Sequence, residues 1–160
     1  MFRFGMTMAM PARYSEIVYY GRGAHENYCD RLSSADLGLY SQKVADQYHD
    51  EYVRPQESGT KSDLRWWSVV DSSGSGLVIL SEAPFSASAL PYATEALDVT
   101  NFPPQQHSGP LRSGDRTYVN FDLRQMGLGC INSWGELPED QYMIPYGDYT
   151  FRFLLRPTVK

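Results

Sequence analysis

Large apolar side chains alternate with small or polar ones from the first residues of the chain. They are Phe2, Phe4, Met6, Met8 and Met10. In an extended strand this spacing places all five on one face, so the segment predicts a β-strand. Because the strand begins at residue one, we expect Met1 to be a cut point inside a longer protein.

Five further segments have the alternation or the β-branched and aromatic content of strands. They span residues 15–21, 64–70, 77–82, 117–125 and 148–157. The second and third flank the turn sequence DSSGSG and predict a hairpin. Adjacent Trp66 and Trp67 lie in its first strand, so one indole is predicted to face the core and the other the opposite side.

Helical signals are few. A short helix is predicted at Tyr92–Leu97, after Pro91, and one or two helical turns are predicted at Ser34–Tyr40, inside a long polar connection. Short strands separated by turns rich in Gly, Pro and Asn indicate an all-β antiparallel sandwich with one or two short helices.

Length and charge limit the function classes. The 160 residues, 18.2 kDa in all, fit a single domain spanning 1–160, and the net charge is -5 without any block of like charges. That balance argues against nucleic acid or an anionic membrane as a partner, because both require clustered cations. The alternating N-terminus does not resemble a signal peptide, which favours the cytoplasm over the periplasm without deciding between them.

Common catalytic motifs are absent: neither GxSxG nor a P-loop occurs, and Cys29 and Cys130 lack the spacing of metal ligands. His25 and Glu26 are adjacent and could perform acid–base chemistry. Neighbouring strand residues point to opposite faces, however, so a structural role is favoured for both. His49 and His107 are predicted to be surface or capping residues.

The segment MGLGCINSWGELP, residues 126–138, interrupts the strand pattern. It holds Trp134 among Gly127, Gly129 and Gly135, which permit close backbone approach or positive φ. The indole is predicted either to be buried under the loop or to be exposed as a flat surface for a ligand. These residues alone leave both alternatives open. The polar clusters at 25–31 and 54–65 likewise suit either scaffold ion pairs or a sugar site.

Four motifs resemble the C-terminal small-chain domain of β-galactosidases in glycoside hydrolase family 2. They are GRGAHENYCDR, YVRPQESGTKSDLRWWSV, FSASALPYATEAL and VNFDLRQMGLGCINSWG, and the resemblance runs from about Arg3 to Leu155. It implies a supersandwich fold related to galactose mutarotases. It also implies that this chain is the C-terminal part of a longer small-chain domain, truncated at its N-terminal side.

The resemblance also implies roles. The two catalytic glutamates of this family of retaining glycosidases lie in a separate barrel, and their motifs are not found here, so no catalytic residue is expected in this chain. Trp134 is expected to contact the sugar on the aglycone side, with Asn132 and Ser133 as weaker candidates. No cofactor is expected here, although metals could bind the missing domains. The chain departs from the family at Ala24, Cys130 and Ile131.

The expected partners are a β-galactoside and the remaining domains of the parent enzyme. One alternative is a free-standing carbohydrate-binding module for galactosides, and another is a mutarotase-like epimerase that uses His25 or His107. The strand at residues 2–10 is predicted to leave an exposed edge, which would favour a homodimer of the isolated fragment.

Overall fold

The computed structural model describes residues 1–52, 56–97, 111–129, 131–132 and 135–159. Seven antiparallel strands account for most of their regular structure. They are β1 (Arg3–Pro11), β2 (Glu16–Gly23), β3 (Asp36–Lys43), β4 (Lys61–Val70), β5 (Gly76–Leu90), β6 (Arg116–Gln125) and β7 (Phe153–Thr158). One α-helical turn, α1 (Thr94–Leu97), and two 3-10 turns (Val44–Gln47, Asp140–Tyr142) complete the described elements. The predicted antiparallel all-β class is confirmed.

The described strands form one sheet in the order β1-β6-β5-β4-β2-β3, with β7 also paired to β5. β5 is long enough to have two neighbours along one edge. Its residues 76–81 pair with β7, and its residues 86–90 pair with β6. The sheet therefore divides at β5 into one part with β4, β2, β3 and β7, and another with β6 and β1.

Both parts of the sheet contribute to a single hydrophobic core. On the larger part, Tyr19 lies opposite Trp67, and Trp67 lies opposite Ile79. The Tyr19 and Trp67 rings stack with centroids 5.0 Å apart. Phe121 of β6 contributes from the smaller part and meets Phe153 edge to face at 5.0 Å. Trp67 is fully buried whereas Trp66 is only half-buried, as the alternation predicted.

Three sequence-based element predictions have different outcomes. The hairpin is confirmed, with both strands longer than predicted, and α1 falls inside the predicted Tyr92–Leu97 helix. The helical turns predicted at Ser34–Tyr40 are wrong, because residues 36–43 form β3. β3 pairs with β2 over its whole length, and the Tyr40 ring packs on Tyr19 at 5.3 Å. Long-range pairing thus decides a segment whose local pattern is weak.

β1 is an edge strand whose described ladder pairs it with β6, in agreement with the predicted edge position. Dimerisation through that edge stays a prediction. The register between β1 and β6 shifts between Phe4 and Gly5, where the pairing skips Leu123 of β6. Met8 and Met10 pack on the core, whereas Met6 is 45% exposed.

Candidate functional site

The glycine-rich segment 126–138 leaves the end of β6 and is held at its base by three backbone contacts. Met126 N–H donates to the Phe2 carbonyl at 2.8 Å, and Gly127 N–H donates to the Tyr142 carbonyl at 2.9 Å. Gly129 N–H donates to Asp30 Oδ2 at 2.5 Å. These bonds hold the start of the segment against the residue before β1, the loop after β2 and the turn near residue 142.

Gly127 is required by close packing at this base. A Cβ at position 127 would lie 2.6 Å from Asp30 Oδ2 and 2.8 Å from Tyr142 Cβ. Separations under 3 Å force a neighbour to move, so a larger residue would displace the Asp30 anchor. This explains in part why glycine interrupts the strand pattern here.

We expect Asp30→Ala to release the base of the loop. Losing the carboxylate removes the acceptor of the Gly129 N–H, so hydrogen exchange at that amide should accelerate by about tenfold, the equivalent of about 1.4 kcal/mol. NMR-detected exchange measures this directly. Asp36→Ala, at an exposed position of β3, is the matched control and should leave the Gly129 amide unchanged. Unaltered exchange in Asp30→Ala would show that the bond does not hold the loop.

The structure describes only part of the predicted sugar-contacting trio. Asn132 is half-buried, and its Oδ1 accepts the Glu136 N–H at 3.3 Å. Gly135 has φ of 109°, a conformation that favours glycine. Ser133 and Trp134 lie outside the described residues, so their predicted roles stay predictions.

Two cavities open beside this segment. The larger, of about 720 Å³, is named here the loop cleft, and it combines apolar and charged side chains. Its lining includes Phe2, Arg3, Glu57, Met126, Leu137 and Pro138. A second cavity of about 370 Å³ shares Glu57 and Leu128 with it. A cavity of the larger volume, with a mainly apolar exposed lining and a few polar groups, is typical of small-molecule sites.

Arg3 holds two carboxylates together at the wall of the loop cleft. Its guanidinium makes a bidentate contact with Asp122, through Nε at 3.2 Å and Nη2 at 2.9 Å, and its Nη1 donates to Glu57 Oε1 at 2.9 Å. Burial raises the pKa of both carboxyl groups, the Arg3 charge opposes that rise, and Asp122 adds to it for Glu57. The Arg3 guanidinium thus contacts two carboxyl groups, Glu57 and Asp122, whose pKa values are raised chiefly by burial.

Glu26 lies at the centre of a second polar network, on the wall of the smaller cavity. It is buried and accepts hydrogen bonds from Arg31, from the Tyr52 hydroxyl, from Tyr28 at 3.2 Å and from Gly59 N–H at 2.8 Å. Burial alone would raise the pKa of Glu26. The bonds from Tyr52, Gly59 and Arg31 and the nearby His49 lower it below the usual value.

His25 and Glu26 do not act as a pair. His25 Nε2 lies 2.9 Å from the Ser34 hydroxyl in an exposed position, whereas Glu26 faces Arg31 and Tyr52. Asn27 is buried and bonds the backbone of Arg22 and the Ser62 N–H. These contacts are those of scaffold residues. His107, the other histidine of the epimerase alternative, lies outside the described residues.

Sequence reasoning missed three members of these networks, Arg3, Tyr52 and Asp122. Arg3 and Asp122 are 119 positions apart and meet because β1 and β6 are neighbours. No spacing in the sequence signals that contact. Tyr52 belongs to a polar connection that gave no strand or helix signal, so only its aromatic character set it apart.

Among the described residues, no group of three or more His, Cys, Asp or Glu side chains is placed to hold a metal ion. In that same part of the chain, no helix combines the length and the apolar character needed to cross a membrane.

The family model and the individual relatives that match this chain all indicate one family. A family model described as "Beta galactosidase small chain" matches residues 1–155. The β-galactosidase of Vibrio cholerae is 34% identical over 154 residues, which are 96% of this chain and 14% of that protein. Those of Priestia megaterium and Streptococcus thermophilus are 35% and 32% identical, each over 96% of this chain and 14% or 15% of their own length. The chain spans about one seventh of the curated relatives that it matches.

Proposed function

This chain belongs to the β-galactosidase small chain family, and from that premise we propose that it is the non-catalytic C-terminal domain of a β-galactosidase. The parent enzyme hydrolyses terminal β-D-galactosides as a retaining glycosidase, and its catalytic carboxylates come from another part of the polypeptide. This chain completes the substrate pocket.

The observation that carries the proposal is that both described ends of the 126–138 segment line the loop cleft. The base of the segment is fixed by Asp30, Phe2 and Tyr142, and its far end lines the cleft with Leu137 and Pro138. The described residues on both sides of Ser133 and Trp134 are therefore held at or beside the cleft. Preorganised support of this kind is what a binding residue requires.

In this proposal Trp134 supplies a flat apolar plate for the aglycone side of the substrate. The C–H face of a sugar or an aromatic aglycone packs on the indole and excludes water from both. Asn132, which accepts the Glu136 N–H, and Ser133 are the weaker candidates for contacts at the same subsite. Glu57, which lines the cleft, and Asp122 are both neutralised in part by Arg3 and serve as scaffold.

We expect Trp134→Ala, in the β-galactosidase polypeptide that contains this chain, to lower kcat/KM for β-galactosides by about 30-fold. The plate buries one indole face, worth about 2 kcal/mol of apolar contact. Steady-state kinetics with an aryl β-galactoside and a disaccharide measure the effect. Trp134→Phe keeps a ring and should retain most activity, and Tyr146→Ala, at a fully exposed site, should retain all of it.

Two outcomes would contradict the proposal. Unchanged kinetics for both substrates in Trp134→Ala would remove the indole from the pocket. Saturable galactose binding by the isolated 160-residue chain, lost in Trp134→Ala, would instead favour a free-standing carbohydrate-binding module.

A further inference from the structure

A row of five apolar side chains crosses the face of the sheet that is opposite the Tyr19 and Trp67 core. The register places Leu39 opposite Tyr20, Tyr20 opposite Trp66, Trp66 opposite Leu80, and Leu80 opposite Leu154. The row therefore crosses β3, β2, β4, β5 and β7. At the usual strand spacing it extends for about 19 Å.

These side chains are exposed to an unusual degree. Leu39 is 68% exposed, Leu154 57% and Tyr20 42%, while Trp66 and Leu80 are half-buried. An antiparallel sheet with one face on the core ordinarily has polar residues on its other face. Here one indole ring, one phenol ring and three leucines occupy the middle of that second face. Contiguous apolar surface of this kind marks an interaction site.

The neighbouring row on one side is mixed, with three polar residues and two valines. Two residues along each strand, Ser41, Val18, Ser68, Val78 and Arg156 follow in the same order across the sheet. An apolar centre with a more polar margin is the composition of a protein interface, and not of a surface that simply lacks charge.

We propose that this row, named here the outer-face row, is covered by another part of the β-galactosidase polypeptide. The inference rests on the proposed function. The curated relatives extend over about 86% of their length beyond the part that matches this chain, so a large amount of polypeptide accompanies the domain in those proteins. A flat row across five strands fits an apolar layer of that polypeptide, such as a second sheet packed about 10 Å away.

Site-specific photo-cross-linking in the source cells tests the proposal. The gene is expressed with p-benzoylphenylalanine in place of Tyr20, of Leu39 or, as matched control, of Tyr146, a fully exposed tyrosine outside the row. After irradiation, mass spectrometry identifies the joined peptides. We expect positions 20 and 39 to be joined to β-galactosidase sequence outside these 160 residues, with at least a tenfold higher yield than position 146.

Cross-links to a second copy of this chain, to residues within the 160, to an unrelated protein, or at no higher yield than position 146 would overturn the inference. Trp66→Lys provides a second measurement, because a charge in the middle of the row should lower the yield from position 39 by about tenfold. The test separates the inference from the pocket. If Trp134→Ala does not change the kinetics, the cross-links from positions 20 and 39 are still expected. If those cross-links are not found, the Trp134 kinetics still test the pocket.

Discussion

Replacing Glu26 with alanine is expected to lower the free energy of unfolding of the 160-residue chain by about 3 kcal/mol. Glu26 accepts hydrogen bonds from two donors that stay buried without it, the Gly59 N–H and the Tyr28 hydroxyl. A buried donor left without an acceptor costs about 1–3 kcal/mol. Arg31 is half-exposed and can be hydrated, so it adds little to the loss.

Denaturant unfolding of the variant measures this change, and Glu51→Ala is the matched control. The Glu51 side chain is 80% exposed, so its removal should alter the unfolding free energy by less than about 0.5 kcal/mol. Equal effects of the two substitutions would show that the Glu26 network does not support the fold. Glu26→Gln retains one acceptor and the side-chain volume, and should fall between the wild type and Glu26→Ala.

The difference between wild type and Glu26→Ala should also depend on pH. The pKa of Glu26 is lowered in the fold from an ordinary value of 4.5, so between these two values the unfolded chain binds more protons and stability rises with pH. The contribution of Glu26 is complete above about pH 4.5 and is lost as pH falls through the folded pKa. Glu57 and Asp122, whose pKa values are raised, have the opposite sign, so only the difference between the variants isolates Glu26.

Local periodicity predicted the parts of the fold whose two faces differ clearly. In β4 and β5 the turn sequence and the run of β-formers were sufficient, and the Trp66–Trp67 pair was assigned to opposite faces. β3 was missed because its apolar residues, Leu37 and Leu39, point away from the core and its pairing with β2 depends on residues 16–23. A strand whose apolar face is on the outside gives no amphipathic signal toward the core.

The polar networks could not be predicted for a different reason. Alternation in β6 separates Val119 and Phe121 from Asn120 and Asp122, yet both sets are buried. Asp122 is buried because Arg3 of the neighbouring strand pairs with it, and the strand order that brings them together is a property of the whole sheet. The motif resemblance predicted a candidate site in the 126–138 segment. The strand order of the sheet determines which charged residues lie near that segment.

Replacing Trp67 with alanine is expected to have the largest effect of any change considered, a loss of about 3–5 kcal/mol in the unfolding free energy. Its indole is fully buried between Tyr19 and Ile79, and removing it leaves a cavity in the shared core. A typical domain has 5–15 kcal/mol of stability, so the variant should unfold at much lower denaturant concentration. Trp67→Phe should recover most of the loss, since the Trp67 Nε1 has no hydrogen-bond partner among the described residues.

Trp66→Ala is the control that the sequence itself provides, one residue away in the same strand. Trp66 is half-buried on the outer-face row, so its removal should cost the isolated chain no more than about 1.5 kcal/mol. Trp66→Ala should also reduce the cross-linking yield from position 39. Trp67→Phe should leave that yield unchanged. A Trp66→Ala loss as large as that of Trp67→Ala would mean that the outer face already packs within this chain, and would contradict its assignment to a partner surface.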